Sequence, residues 1–413
     1  MTTSNERMMV AEIVQRTDSI LQGQERPVLL HAPSLPETCW TYVRECLDTG
    51  WISSAGAYVD RLERELAQAT GVQRAVVTVN GTSALQAALT LAGVRAGDEV
   101  LAPALTFVAT ANAIRYCAAE PHFVEVDPLR FCVDPVALYE YLLSISKVSS
   151  GVCINRETGR PIRALCVMHC FGHPADLEAL CSVCQQFHLV LVEDAAESLG
   201  SYYKGRHTGN CGLVSAVSFN GNKILSTGGG GALLTNDAEI GVRAKHLTTT
   251  AKVAHPWESV HDEVGWNFRM PNLNAAVGYA QLRILPQLIA AKRALASTYI
   301  RSLSEIPGVS VLTEPADSRS NYWLNTLILD RECAHLRDAL LEALNAAGLQ
   351  SRALWRPMHQ LPMYANCPRA DLSITEDLTR RVVNLPSSAH LAPGWPEAYA
   401  DVATSLSNAE YCL

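Results

Sequence analysis

Residues 163–194 read RALCVMHCFGHPADLEALCSVCQQFHLVLVED, and the pattern of apolar residues in this stretch indicates an α/β fold. The apolar run Arg163–Met168 predicts a buried strand, Asp176–Phe187 has the spacing of an amphipathic helix, and Leu189–Glu193 predicts a second strand. A helix that joins two strands is the crossover that parallel pairing requires. The stretch therefore predicts one strand–helix–strand unit of a parallel sheet.

The same alternation of apolar runs and helical segments extends to both sides. Further strands are predicted at Arg74–Val79, Glu99–Ala102, His122–Val126, Val214–Phe219 and Ala232–Thr235. Helices are predicted at Ser83–Ala92, Thr106–Ala118 and Pro135–Leu143. This order is typical of a large α/β/α domain with a mostly parallel sheet, so residues that act on a ligand should gather at the carboxyl ends of the strands.

The carboxy-terminal part of the chain has a different pattern. Residues 272–303 predict one helical region that Pro286 should kink or break, followed by a predicted strand at 323–329 and a predicted helix at 335–347. These short elements indicate a smaller α+β unit. We therefore expect three parts: an amino-terminal extension over 1–30, a large α/β domain over 31–290 and a small carboxy-terminal α+β domain over 291–413.

The composition favours a globular protein that acts on a small molecule. The chain has 413 residues, of which 48% are apolar and 18% charged, and its net charge of −8 is spread without acidic or basic blocks. Such a charge distribution has no basic patch of the kind that binds nucleic acid or an anionic membrane. Because Glu6, Glu12 and Asp18 interrupt the amino terminus and no apolar run is long enough to span a bilayer, we expect no signal peptide and place the chain in the cytosol.

The thirteen cysteines do not predict a disulfide framework or a metal site. A chain of this length can be stable without covalent crosslinks, and most of its cysteines lie in apolar runs. Cys181 and Cys184 form a C-x-x-C pair, but they lie on a predicted helix, and no second Cys/His pair has the spacing of a zinc site. We expect buried free thiols and no bound metal.

The segment Asn80-Gly81-Thr82-Ser83 lies between a predicted strand and a predicted helix. At such a place free backbone N–H groups, the helix dipole and two hydroxyl groups can converge on a phosphate. The same residue types also cap helices without binding a ligand. On these residues alone, a phosphate site and a simple cap both remain open.

Asp194 follows the apolar run Leu189–Glu193, at the point where a parallel sheet presents functional groups. An aspartate there could also cap a helix. Pyridoxal 5′-phosphate (PLP) needs a carboxylate beside its pyridine nitrogen to keep that nitrogen protonated, and Asp194 meets this need. Glu197 lies close enough along the chain to approach another polar edge of the same ring.

Lys223 is the lysine whose position best suits PLP chemistry. It follows an apolar strand and precedes the glycine run Gly228–Gly231, whereas the other five lysines lie in loops, in turns or on helices: Lys147, Lys204, Lys245, Lys252 and Lys292. A desolvated lysine with a lowered pKa can form a Schiff base with an aldehyde and later move protons. The glycine run leads into a strand rather than a helix, which argues against a dinucleotide-binding site.

With these residues, the chain resembles fold type I PLP enzymes, and specifically the DegT/StrS-type nucleotide-sugar aminotransferases. The resemblance covers about His31 to Ser388. The segments that carry it are NGTSAL at 80–85, PALTFVAT at 103–110, EDAAES at 193–198, SFNGNK at 218–223 with the glycines that follow, and WNFRM at 266–270.

The resemblance implies a PLP cofactor and a role for each matching residue. Lys223 would form the Schiff base, Asp194 would contact the pyridine nitrogen, and Phe107 would stack on the ring. The phosphate would be bound by Gly81, Thr82 and Ser218, and by Asn267 from the neighbouring subunit, which implies a homodimer with shared active sites. Taken in isolation, a residue like Phe107 is more often a core aromatic and one like Asn267 more often a helix cap.

Two departures from the wider family indicate a subgroup. The family usually has Gln at the position of Glu197 and an acidic residue within the run Gly228–Gly231. In both departures the chain resembles the 4-aminotransferases of bacillosamine and legionaminic-acid-type pathways. Five further segments resemble the same enzymes: HAP at 31–33, GWISS at 50–54, HLTTTAK at 246–252, SNYWLN at 320–325 and WRPMH at 355–359. This implies a UDP-linked 2-acetamido-2,6-dideoxy-4-keto hexose, aminated at C4, with L-glutamate as donor.

Contacts to the substrate are the least constrained by the sequence. Candidate sugar-side residues are Trp51, Ser53, Trp355 and His359, and Arg352 or Arg356 could bind the donor carboxylate through two parallel hydrogen bonds. Ordinary packing is the alternative for the two tryptophans.

Two other functions share this fold. One is that of a PLP-dependent sugar dehydratase, but enzymes of that kind carry His at the position of Lys223. The other is that of a non-catalytic PLP-binding regulator, which motifs alone do not exclude.

Overall fold

The computed structural model describes residues 4–397 of the chain. Within that range the helices are α1 (Ser4–Ile20), α2 (Thr38–Thr49), α3 (Ala57–Thr70), α4 (Gly81–Leu91), α5 (Val108–Tyr116), α6 (Pro135–Ile145), α7 (Leu177–Phe187), α8 (Ala238–Thr248), α9 (Asn272–Leu282), α10 (Leu285–Leu303), α11 (Arg337–Ala346) and α12 (Ser373–Arg381).

The strands of the same range form four sheets. They are β1 (Arg74–Thr78), β2 (Glu99–Pro103), β3 (Glu120–Val124), β4 (Ser146–Ser149), β5 (Val152–Asn155), β6 (Pro161–Met168), β7 (Val190–Asp194), β8 (Tyr202–Tyr203), β9 (Arg206–His207), β10 (Val214–Ser218), β11 (Gly231–Thr235), β12 (Lys252–Val253), β13 (Val260–His261), β14 (Val309–Val311), β15 (Ser318–Arg319), β16 (Asn325–Leu329), β17 (Arg352–Ala353) and β18 (Val382–Leu385).

The central sheet has the order β1-β11-β10-β7-β6-β2-β3. The neighbours β10, β7, β6, β2 and β3 pair in parallel, and β11 is antiparallel to both of its neighbours. The hairpin of β4 and β5 pairs with the first residues of β6. The sequence prediction of an α/β fold with a mostly parallel sheet is therefore confirmed.

Helices cover both faces of this sheet. Consecutive residues of a strand point to opposite faces, so Val76 and Leu233 pack with residues of α4, α5 and α8, whereas Val77 and Leu234 pack with residues of α3, α9 and α10. Burial on both faces explains why these strands consist of nearly continuous apolar runs in the sequence.

Many element boundaries differ from the sequence predictions by one or two residues, and some differences are larger in consequence. Strand β3 begins and ends two residues before the predicted 122–126. The region 272–303 is broken into α9 and α10, and Pro286 lies in the first turn of α10, where its missing N–H costs no hydrogen bond. Lys147 lies on strand β4 rather than in a loop.

The carboxy-terminal elements form a second, antiparallel sheet with the order β14-β16-β18-β17. Helix α1 packs against α10 and α11, and Val28 bridges to Leu349, so the amino-terminal residues adjoin this part of the chain. The division into 1–30, 31–290 and 291–413 stays a prediction, and residues 1–3 and 398–413 lie outside the described range. None of the helices between residues 4 and 397 has the length and apolar character needed to cross a membrane.

Candidate active site

A cavity of about 340 Å³ opens at the carboxyl ends of β7 and β10, beside the first turns of α4 and α5. Parallel sheets bind ligands at this edge because the strand ends and the helix amino termini converge there. The structure brings eight of the predicted site residues together as lining of this cavity: Gly81, Thr82, Phe107, Asp194, Glu197, Ser218, Lys223 and Trp355.

Asp194 is the last residue of β7 and is buried. Its Oδ2 accepts a hydrogen bond from the Thr110 hydroxyl at 2.7 Å, and its Oδ1 accepts one from the Ala196 N–H at 3.2 Å. Burial raises the pKa of the Asp194 carboxyl. A buried carboxylate held in one orientation and depleted of water is a suitable partner for a cationic ring nitrogen.

Glu197 lies three residues further along the chain, in the turn after β7, and is also buried. Its Oε1 lies 3.3 Å from Lys223 Nζ, and its Oε2 accepts a hydrogen bond from the Phe171 N–H at 2.9 Å. Burial raises the pKa of the Glu197 carboxyl to about 7, against the lowering effect of Lys223. This carboxyl therefore gains or loses its proton near neutral pH, directly beside the predicted catalytic amine.

Lys223 points its Nζ at the face of the Trp323 indole, 3.7 Å from the ring centroid. The Trp323 Nε1–H donates to the Asn222 carbonyl at 2.8 Å, and the Trp323 carbonyl accepts from Lys292 Nζ at 3.1 Å. An aromatic face stabilises an ammonium cation that has left bulk water. Trp323 is thus a site residue that the sequence analysis missed, although it lies in the segment SNYWLN at 320–325 that was noted for the subgroup.

The start of α4 packs closely against the end of β10, where Gly81 lies next to Ser218. A Cβ atom on Gly81 would lie 2.8 Å from Ser218 Cβ, so only glycine allows this approach. Asn80 does cap α4, because its Oδ1 accepts from the Ser83 N–H at 2.7 Å. The remaining N–H groups of the first turn have no acceptor within the helix, and with the Thr82 and Ser218 hydroxyls nearby they form a cradle suited to a phosphate.

Phe107 occupies the position before the first residue of α5 and is 51% exposed. The alternative that Phe107 is a core aromatic is therefore wrong. Its ring lies 6.4 Å from that of Trp355, which in turn packs on Phe171 at 4.9 Å. Phe107 thus presents a free aromatic face to the cavity, whereas Trp355 both lines the cavity and packs.

These residues fit PLP at each of its reactive and charged groups. Lys223 offers an amine for the aldehyde, Asp194 a buried carboxylate for the pyridine nitrogen, and the start of α4 a cradle for the phosphate. When bound, PLP supplies the electron sink for transfer of an amino group.

The family model of the DegT/DnrJ/EryC1/StrS aminotransferases matches residues 33–406. The chain belongs to this family. The fold class, the PLP cofactor and the activity of a PLP-dependent nucleotide-sugar aminotransferase, all predicted from the sequence, are confirmed by this membership.

Individual relatives of this aminotransferase align over most of their length. The GDP-perosamine synthase of Escherichia coli O157:H7 is 35% identical over 363 residues, which cover 88% of this chain and 94% of that protein. The GDP-perosamine synthase of Vibrio cholerae is 34% identical over 384 residues, which cover 92% and 97%. The crystal structure of the aminotransferase TlmJ from Streptoalloteichus hindustanus superposes with a TM-score of 0.79 at 29% identity, covering 92% of this chain and 99% of that chain.

Asn267 does not line the cavity of its own chain in this aminotransferase. It is exposed, and its Oδ1 accepts a hydrogen bond from Arg269 Nε at 2.9 Å. The alternative that Asn267 caps a helix is wrong, because α9 begins at Asn272 with Pro271 before it. Its predicted contact with a neighbouring subunit's phosphate site stays a prediction.

Five substrate-side candidates also lie outside the cavity lining: Trp51, Ser53, Arg352, Arg356 and His359. All but His359 are exposed, and Trp51 at 59% exposure is not a packed core residue. The His359 ring pairs with Glu376 Oε1 at 3.0 Å. The roles of these five residues in this aminotransferase stay predictions.

Proposed function

We propose that this aminotransferase moves the amino group of L-glutamate to C4 of a UDP-linked 2-acetamido-2,6-dideoxy-4-keto hexose. The product would be a UDP-4-amino-4,6-dideoxy-N-acetylglucosamine-type sugar. The observation that carries the chemistry is the Lys223 amine, which lies 3.3 Å from Glu197 in the cavity that also contains Asp194. The choice of C4 and of UDP rests on the resemblance to the subgroup. Glu197 and the unbroken run Gly228–Gly231 are the two features that distinguish this subgroup from the wider family.

Lys223 has two tasks in this proposal. Its amine would hold the cofactor at the aldehyde, and it would move a proton at the donor Cα. Trp323 and Glu197 adjoin Nζ and would hold the amine in position within the cavity. Asp194 would hold the pyridine nitrogen, and Phe107 would lie against the ring.

The substrate side is assembled from residues around and beyond the cavity. Trp355 lines the cavity directly, and Trp51, Ser53 and His359 are proposed to reach the sugar. Arg352 or Arg356 is proposed to bind the glutamate carboxylate, since both residues are exposed and a guanidinium can bind a carboxylate through two parallel hydrogen bonds. The working unit is proposed to be a homodimer in which each site receives Asn267 from the other copy.

A GDP-linked keto sugar is the second candidate substrate. The relatives from Escherichia coli O157:H7 and Vibrio cholerae are named GDP-perosamine synthases, and each aligns with most of this chain. Their names support a GDP-linked sugar, whereas the residues of the subgroup segments support a UDP-linked one.

A panel of substrates decides between these candidates. PLP-loaded protein is incubated with L-glutamate and a UDP-, GDP-, CMP- or dTDP-linked 4-keto-6-deoxy sugar, and products are identified by mass spectrometry and NMR. We expect 2-oxoglutarate release coupled to C4 amination of the UDP-linked sugar. Preference for the GDP-linked sugar would replace the UDP assignment, and release of 2-oxoglutarate without amination of any keto sugar would overturn the sugar proposal.

The same panel separates the two alternative functions. Formation of a deoxygenated sugar that retains no new nitrogen would indicate a dehydratase. Binding of PLP with neither 2-oxoglutarate release nor a change in any sugar would favour a non-catalytic regulator.

A further inference from the structure

Two thiols outside the active-site cavity face each other between α7 and the loop that precedes β10. Cys181 lies on α7 and Cys211 lies in the loop between β9 and β10, and their Sγ atoms are 3.5 Å apart. Both residues are partly exposed. The partner that the sequence pattern suggested for Cys181, Cys184, is instead buried in the core beside Phe187.

Both sulfur atoms are carried by well-anchored backbone. Helix α7 is capped by Asp176, whose Oδ1 accepts from the Ala179 N–H at 3.1 Å. The N–H groups of Cys211 and Gly212 donate to Glu193 Oε1 at 2.8 and 2.6 Å. A disulfide requires about 2.05 Å between the sulfurs, so an approach of roughly 1.5 Å suffices.

We propose that Cys181 and Cys211 are a redox-active pair that a peroxide converts into a reversible disulfide. The Cys181 sulfur attacks one peroxide oxygen, the O–O bond breaks, and one water leaves with Cys181 as a sulfenic acid. The Cys211 sulfur then attacks the Cys181 sulfur, the S–O bond breaks, and a second water leaves. The two thiols supply the two electrons that reduce one hydrogen peroxide to two waters.

The surroundings distinguish this pair of thiols from the neighbouring Cys184. The hydrogen bond between the two thiols lowers the pKa of the Cys181 thiol, and Arg206 acts in the same direction. Burial raises the pKa of the Cys184 thiol to about 12, so Cys184 stays protonated and inert at neutral pH. Partial exposure of Cys181 and Cys211 gives a small oxidant access to the pair.

The crosslink would join α7 covalently to the loop whose Cys211 and Gly212 N–H groups donate to Glu193 on β7. Glu193 Oε2 also accepts from the Gly209 N–H at 2.7 Å and pairs with His169 Nε2 at 2.9 Å, and the next residue is Asp194. The proposed modification site is therefore joined by direct contacts to the strand end that carries the cofactor carboxylate, although it lies outside the cavity.

Peptide mapping of the oxidised holoenzyme tests the proposal. PLP-loaded full-length protein is treated with hydrogen peroxide, remaining thiols are alkylated, and a non-reducing digest is read by mass spectrometry. We expect a loss of about 2 Da from the intact chain, one Cys181–Cys211 crosslinked peptide, and full reversal by dithiothreitol.

Matched variants make the assignment specific. Cys181→Ser and Cys211→Ser should each abolish the crosslink, whereas Cys184→Ser, on the same helix, should keep it. Cys181→Ala and Cys211→Ala replace the serine variants if a thermal unfolding control shows that these do not fold. A crosslink that persists without Cys181, a Cys181–Cys184 linkage, or oxidation to sulfinic acid without any crosslink would overturn the proposal.

Discussion

At the scale of single residues, two neighbouring carboxyl groups have different surroundings and therefore different tasks. Asp194 is held by a hydroxyl and a backbone N–H, whereas Glu197 contacts the Lys223 amine and the Phe171 N–H. The sequence predicted both carboxyl groups from their place after a strand. It could not predict that Phe171, with a left-handed φ of 54°, or Trp323 would complete the site, because both are remote along the chain.

Replacing Asp194 with asparagine should lower kcat by a factor on the order of 10²–10³, because an ionic contact to the ring nitrogen in a desolvated site is lost. Steady-state release of 2-oxoglutarate, with L-glutamate and an accepted keto sugar both present, measures this effect. The exposed Glu178→Gln on α7 serves as the control and should leave kcat unchanged. Near-normal turnover of Asp194→Asn would remove Asp194 from the mechanism.

Replacing Glu197 with glutamine should change how stability depends on pH. The folded-state pKa of about 7 lies above the unfolded value, so the stabilisation by the protonated carboxyl is complete below about pH 4.5 and is lost as pH rises through 7. The free energy of unfolding of the apoprotein, measured by urea titration, should therefore fall between pH 5 and 7.5 more in wild type than in Glu197→Gln. Equal slopes for both proteins would contradict the raised pKa.

At the scale of elements, the periodicity of apolar residues predicted strands β1, β2, β3, β6, β7, β10 and β11 of the central sheet and helices α4, α5, α6 and α7. The hairpin β4–β5 was missed because each strand has only four residues, and β4 buries just one of them. The sequence also did not predict that the Lys292 side chain is buried. It lies on α10 as predicted, but its Nζ donates to the carbonyls of Trp323 and Ser387, and burial lowers its pKa far below the ordinary value.

The contact between α4 and β10 gives a prediction about the phosphate cradle. Gly81→Ala places a Cβ 2.8 Å from Ser218 Cβ, which should displace the first turn of α4, cost about 1–3 kcal/mol and weaken PLP binding. Gly221→Ala is the matched control, since its Cβ would meet no atom within 4 Å. PLP affinity, measured by fluorescence titration, should fall only in Gly81→Ala, and equal affinities in the two variants would count against the cradle.

At the scale of the whole molecule, the proposed sharing of sites between two copies predicts complementation. Lys223→Ala and Asn267→Ala chains each lack one half of every site, but a heterodimer of the two contains one intact site. Mixed chains that exchange freely should recover roughly a quarter of wild-type activity, since half of the dimers are mixed and each has one working site of two. Absence of recovery after verified exchange would refute the shared site.

Chemical reduction of the holoenzyme tests most directly the central claim that Lys223 holds PLP covalently. PLP-loaded protein is treated with borohydride, digested, and searched by mass spectrometry for the reduced cofactor adduct, with exposed Lys204→Ala as the control variant. The adduct should lie on Lys223 in wild type and in Lys204→Ala and should be lost in Lys223→Ala. An adduct on any other lysine of wild type, or one that survives in Lys223→Ala, would contradict the assignment.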